Sequence, residues 1–191
     1  MRRYLIPMLV GSILLAAALG YWVGRLEINS LRREYRREQA INRELKQNLS
    51  RERVALFYVQ STATQLFLQP EIRELEAKPD IYQAVVNAVL EGPTTFDSSS
   101  TSIFPEGAKV LGVQVDDGLA IVNLNQKATE LNVGSEGEYL AVLSIVNTLT
   151  KLPDIYHVKF MVEGEEVESL AGHVDLTQTF SYHPEVVRVN F

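Results

Sequence analysis

The chain has 191 residues, a formal net charge of −6, 46% hydrophobic and 22% charged residues, a composition that folds and leaves room for one domain with extensions. It contains no cysteine, which excludes disulfides, thiolate metal sites, a cysteine nucleophile and a lipid-modified N-terminal cysteine. Charge is divided along the chain: residues 1–55 carry 11 Arg and Lys against 5 Asp and Glu, whereas residues 56–191 carry 7 against 19. So acidic a body is unsuited to a phosphate backbone, and no nucleic-acid partner is expected.

Tyr4 to Val23 is a run of twenty residues without a charge. At about 1.5 Å per residue a helix of that length spans roughly 30 Å, the thickness of a bilayer's hydrocarbon core. Arg2, Arg3 and Arg25 bracket the run, and Tyr4, Tyr21 and Trp22 lie at its ends, where amphipathic rings favour the interface. Residues 1–24 are therefore expected to be an N-terminal transmembrane anchor. A cleavable signal peptide is the competing reading, with small residues at Ala18-Leu19-Gly20. Tyr21-Trp22-Val23 continues the apolar run past that point and favours an uncleaved helix.

Residues 25–52 lack Gly and Pro and are rich in helix formers, so a charged helical stalk follows the anchor. Leu31, Tyr35, Ile41, Leu45 and Leu49 make a thin, interrupted apolar line. A solvated stalk is the simpler reading; weak self-association through a short coiled coil is the sharper one. The basic residues beside the span could also meet anionic headgroups.

A folded domain is expected over residues 53–180. Val54 to Val59 reads as a buried strand, and Gln65 to Gln69 as a short second strand stopped by Pro70. Asp80 and Gln83 have capping-box spacing at the start of a helix that presents Ile81, Ala84, Val85, Ala88 and Val89 on one face and ends at Gly92-Pro93. Residues 94–107 form a loop. Val110–Val115 and Leu119–Leu124 are two strands joined through Asp116-Asp117-Gly118, a strong hairpin signal. Ser135 and Glu138 have the spacing of a second capping box. The helix they open runs to about Thr150 and buries Tyr139, Val142, Leu143, Val146 and Leu149. Val158, Phe160 and Val162 alternate as in a half-buried strand, and a further strand is expected near Val167 to Leu170. The last twenty residues read as extended, with a tail over residues 181–191. The expected fold is of α+β type: one small mixed or mostly antiparallel sheet with two helices packed on one face.

The search for chemistry assigns no catalytic, cofactor-binding or metal-ligating residue. His157, His173 and His183 are dispersed, and His173-Val174-Asp175 lacks the further ligands that zinc needs. Ser98, Ser99 and Ser100 lie in a loop, and no G-x-S-x-G elbow exists. Asp116 and Asp117 fit a turn better than a carboxylate pair. Gly134-Ser135-Glu136-Gly137 lacks the Lys of a phosphate loop, and Glu136 and Glu138 would repel an anion there. Glu163-Gly164-Glu165-Glu166 lacks the ligand spacing of a calcium loop. Tyr58, Tyr82, Tyr139 and Tyr156 could include a stacking platform for a wall polymer, although core or boundary roles explain tyrosines more simply.

Four segments, in order, resemble the GerMN domain family of bacterial sporulation and spore-germination proteins. They are Ala88-Val89-Leu90-Glu91-Gly92-Pro93; Ile103-Phe104-Pro105-Glu106-Gly107-Ala108-Lys109-Val110; the hairpin from Val113 to Leu124; and Ile145 to Thr150 with Val158 to Gly164 and Leu170 to Asp175. Asn123 stands where the family usually has Asp. The resemblance implies an extracytoplasmic, non-catalytic module akin to the ring-building type of α+β domain, working in sporulation or germination beside envelope proteins or further copies of itself. Many relatives are lipoproteins; here the transmembrane helix would stand in for the lipid. The resemblance places the body outside the membrane, whereas Arg25, Arg32, Arg33, Arg36 and Arg37 behind the span favour a cytoplasmic body by the positive-inside count.

Overall fold

The computed structural model describes residues 51–76, 80–94 and 102–188, together with Arg36, Arg37 and Gln39. The chain divides into two units, Met1–Leu49 and Ser50–Phe191. In the first, Arg36, Arg37 and Gln39 are helical and exposed. The apolar run of residues 4–23, the cleavage-like Ala18-Leu19-Gly20 and the stalk's apolar line of Leu31, Tyr35, Ile41, Leu45 and Leu49 lie outside the described residues; Arg51 and Glu52, expected to end the helical stalk, are already strand, because they pair with Glu76 and Leu75. Among the described residues no helix is long and apolar enough to cross a membrane.

Among its described residues the second unit contains two sheets and two α-helices. Strands β1 (Arg51–Ser61) and β2 (Leu66–Glu76) form an antiparallel hairpin. Helix α1 (Ile81–Glu91) follows, then β3 (Val110–Asp116) and β4 (Leu119–Leu124), helix α2 (Ser135–Leu149) and β5 (His157–Val162). The second sheet has the order β3-β4-β5, with β4 parallel to β5 and α2 as the crossover between them. Short 3₁₀ turns cover Gln126–Thr129 and Pro184–Val186.

Two sheets replace the single one expected from the sequence, and the edge hydrogen bonds give the reason. Outside the hairpin, the Phe57 N–H donates to Thr148 Oγ1 of α2 at 3.0 Å, and the Leu68 carbonyl accepts from the Arg188 N–H at 2.8 Å. On each edge of the hairpin the outward backbone group thus bonds to something other than β3 to β5: Phe57 to α2 and Leu68 to the segment at Arg188. Pro70 does not stop β2. It pairs with Phe57, whose N–H points away from β2, so this is a pair without mutual hydrogen bonds and the missing proline donor lies on the outer edge.

Helix α1 begins at Asp80, whose Oδ1 accepts from Tyr82 N at 2.9 Å and Gln83 N at 3.3 Å. Gln83 does not complete a capping box; its amide reaches the Val110 carbonyl instead. The helix ends at Gly92, whose φ of 98° lies where glycine is favoured. The hairpin between β3 and β4 turns through Asp117 (φ 45°) and Gly118 (φ 82°), the two positive values that a type I′ turn requires.

Helix α2 packs against β1, β2, β5 and α1. The sequence reading buried one face of it; in the fold Leu140, Ala141, Val142, Leu143, Ile145, Val146 and Leu149 are all buried, while Tyr139 is only half-buried. A helix apolar all round lies inside a core. Ala120, Val122 and Leu124 of β4 and Val158, Phe160 and Val162 of β5 line the inner face of the second sheet.

The strand expected near Val167 to Leu170 does not form. The backbone N–H groups of Leu170 and Ala171 bond to a carboxylate rather than to a ladder. Residues 172–188 contain no strand or α-helix, yet they bury Leu176 and Phe180. They form a strap. Phe180 exchanges two backbone hydrogen bonds of 2.8 Å with Val158, and Val187 bridges to Leu68.

Candidate functional site

Helix α2 carries four buried polar or charged residues in its apolar run: Glu138, Ser144, Asn147 and Thr148. Three of them reach out to brace neighbouring backbone. Glu138 is wholly buried; its Oε1 accepts from the N–H groups of Leu170 and Ala171, both at 2.9 Å, and its Oε2 from that of His173 at 2.8 Å. A buried carboxylate is costly unless hydrogen-bonded, and these donors supply that compensation. Glu138 therefore does not close a capping box with Ser135. The helix is capped at Gly134, without a side-chain bond.

Asn147 forms a reciprocal pair with His183. Its Nδ2 donates to the His183 carbonyl and its Oδ1 accepts the His183 N–H, each at 2.9 Å. One amide side chain thereby satisfies a strap residue that has no strand beside it. Thr148 accepts from Phe57 N and donates to the Ser144 carbonyl at 2.6 Å.

The strap, the first turns of α2 and the start of β2 enclose a cleft of about 310 Å³. Leu66, Leu140 and Val186 give it apolar lining, and Gln65, Glu136, Tyr139, Glu185 and Arg188 add polar groups. His183 Nδ1 lies 2.5 Å from Glu185 Oε1. Because the carboxylate only accepts, Nδ1 carries the proton. The His183 hydrogen bond holds the Glu185 carboxyl below the usual carboxylate range. Burial, reinforced by the charge of Glu185, pushes the Tyr139 phenol up. Arg188 lies 5.2 Å over the Phe67 ring and donates to Gln65 Oε1. Among the described residues neither Arg188 nor Glu136 has an ion-pair partner.

The residues weighed from the sequence are dispersed. His157 is exposed at the start of β5. His173, Glu168 and Asp175 line a separate open recess, where Asp175 accepts from the Thr177 N–H and hydroxyl at 2.9 and 2.6 Å, which lowers its pKa. No group of three or more potential metal ligands occurs among the described residues. Ser98, Ser99 and Ser100 lie outside the described residues. Glu163 accepts from Gln126 N, and Glu166 pairs with Lys159.

The four tyrosines form no common platform: among the described residues none of their rings stacks on another. Tyr58 is buried and donates to the Ala88 carbonyl at 2.9 Å. Burial pushes its phenol up, against the opposing charge of Arg73. Tyr82 is half-buried and Tyr156 exposed. Sequence reasoning passed over Asn147, Thr148 and Arg188 and gave Glu138 the wrong partner. The available signal was polar residues interrupting the apolar run of α2.

Comparison with solved structures shows the same fold elsewhere. The chain is similar to the tandem GerMN domains of the sporulation protein GerM from Bacillus subtilis, with a TM-score of 0.59 and 23% identity, over 73% of this chain and 49% of that one. It thus spans about half the length of that relative. It is also similar to the first GerMN domain of the same protein, with a TM-score of 0.52 and 18% identity, over 68% of this chain and 97% of that one. No curated protein matches significantly. Residues 55–168 match the Germane family model, described as sporulation and spore germination. That match spans more than half of the sequence, and the chain belongs to this family of GerMN-domain proteins.

Proposed function

We propose that this protein is a membrane-tethered, extracytoplasmic GerMN protein that acts as a non-catalytic scaffold or assembly factor in the cell envelope during sporulation or spore germination. The family match over residues 55–168 carries this reading. Two features support it. The buried polar side chains of α2 brace the strap, the 170–173 loop and β1; and the uncharged run of residues 4–23 ahead of the body has the length of a membrane span. On this reading residues 25–49 hold the body off the membrane, and other envelope proteins or further copies, as in ring-building domains, are its partners.

Deletion in a spore-forming source tests the role. Altered spore formation, germination or envelope assembly is expected, and normal phenotypes in all three without a redundant paralogue would refute it. Protease treatment of intact protoplasts tests the side: the body should be cleaved, and full protection until lysis would place it inside. Light scattering with and without residues 25–49, a deletion that stops short of β1, tests self-association, which a monomer at high concentration would reject.

A second reading, a wall-polymer or small-ligand module, is favoured by the half-buried Tyr139 at the cleft. Retention on purified cell wall at low salt tests the polymer form, and no retention removes it.

A further inference from the structure

The cleft between the strap and α2 displays charges of both signs that do not neutralise one another. Glu136 stands exposed in the first turn of α2, and Arg188 stands on the strap. Both line the same 310 Å³ space, yet no ion pair joins them or links either to another described residue. Glu185, the other carboxylate of the cleft, is engaged by His183. Leu66, Leu140, Val186 and Tyr139 line the same space as the two unpaired charges. The walls are held in place from behind: the fully buried Asn147 clamps the strap backbone at His183, and the Arg188 N–H is tied to Leu68. The guanidinium is itself steadied by the Phe67 ring and Gln65.

We propose that this cleft binds a short free peptide, its ammonium group towards Glu136 and its carboxylate towards Arg188, with apolar side chains against the cleft walls. The volume is at the small end for ligand pockets and suits a ligand of about two residues. A planar guanidinium is suited to bidentate carboxylate recognition, which gives the ligand its direction. A dipeptide carries both charges on one short unit, whereas a single terminus of a long chain carries only one of them, so the chemistry favours free small peptides over the ends of proteins. The proposal does not depend on the scaffold role: a normal spore phenotype would leave it standing.

The test is an NMR titration of the full chain with the dipeptide Ala-Leu, its N-acetyl form, its C-amide and a decapeptide ending in Ala-Leu. Saturable shifts at Tyr139, Val186 and Arg188 are expected with the free dipeptide. Each of the other three probes should bind at least about 10-fold more weakly, because each lacks one charge-assisted contact. Arg188→Gln should abolish the discrimination between acid and amide while keeping that against the N-acetyl form. Glu136→Gln should do the reverse. Both side chains are exposed, and the same spectra report that the variants fold. No saturable shift at these residues up to about 10 mM, which limits any binding to a free energy weaker than about −3 kcal/mol, would overturn the proposal. So would equal binding of capped and uncapped dipeptides, or a decapeptide that binds as well as the dipeptide.

Discussion

Replacing Glu138 tests whether α2 braces the fold through its buried polar side chains. In Glu138→Ala three backbone N–H groups lose their acceptor: those of Leu170, Ala171 and His173. Leu170 is 4% exposed, so its N–H has little recourse to water; Ala171 and His173 are less enclosed. A buried donor left unsatisfied costs about 1–3 kcal/mol, and removing a fully buried side chain leaves a cavity besides. Removing a buried charge offsets part of this. The expected loss is about 3–4 kcal/mol, a large share of the roughly 5–15 kcal/mol that holds a domain together.

Glu138→Gln keeps the shape. Its carbonyl oxygen can still accept from Leu170 and Ala171, but its amide nitrogen would face the His173 N–H, donor against donor. About 1–2 kcal/mol is expected for that variant. Urea unfolding with an unchanged slope measures both losses, and amide hydrogen exchange at residues 170, 171 and 173 locates them. A loss below about 1 kcal/mol for the alanine variant, or equal losses for both, would show that the carboxylate is not the brace.

Three further outcomes follow from the same geometry. Asn147→Ala should cost about 2 kcal/mol by orphaning the His183 N–H and carbonyl, with exchange protection lost at His183 and retained in β4; uniform loss across the domain would contradict a local clamp. Gly118→Ala should cost about 1–2 kcal/mol, because φ is 82° and a Cβ would lie 2.6 Å from the Tyr156 ring, which must swing outward; a thermal midpoint equal to the parent's would refute this. The Glu185 carboxyl is held below its ordinary value in the folded state, so the unfolded chain binds more protons in acid. Its contribution is therefore complete above the ordinary carboxylate range and is lost as pH falls through the folded value. NMR signals of Tyr182 should report loosening of the strap in that acid window, and His183→Phe, which keeps a ring and removes the Nδ1 donor to Glu185, should move the midpoint upward; an unmoved midpoint would sever the link.

Much of the second sheet is legible in the residue pattern because its rules are local. Asp117 and Gly118 tolerate positive φ, so the turn between β3 and β4 and its register follow from three consecutive residues. Asp80 caps its helix through bonds to residues two and three positions on. Pro70 misled because its effect depends on which side of β2 its nitrogen faces, and that is set by Phe57, thirteen positions earlier in the chain. The cleft was hidden for a like reason: Gln65, Glu136, Tyr139 and Arg188 come from three separate segments that only folding brings together.

By itself the sequence determined the uncharged N-terminal run, the acidic body, the positions of both helices and the family resemblance, since each depends on composition or near-neighbour spacing. Only the tertiary structure decided that the sheet is split in two, that residues 172–188 are strapped to the core and that Glu138 and Asn147 brace backbone far away in the chain. Those outcomes rest on hydrogen bonds between residues more than thirty positions apart, and a buried polar group takes whichever partner the fold brings within reach.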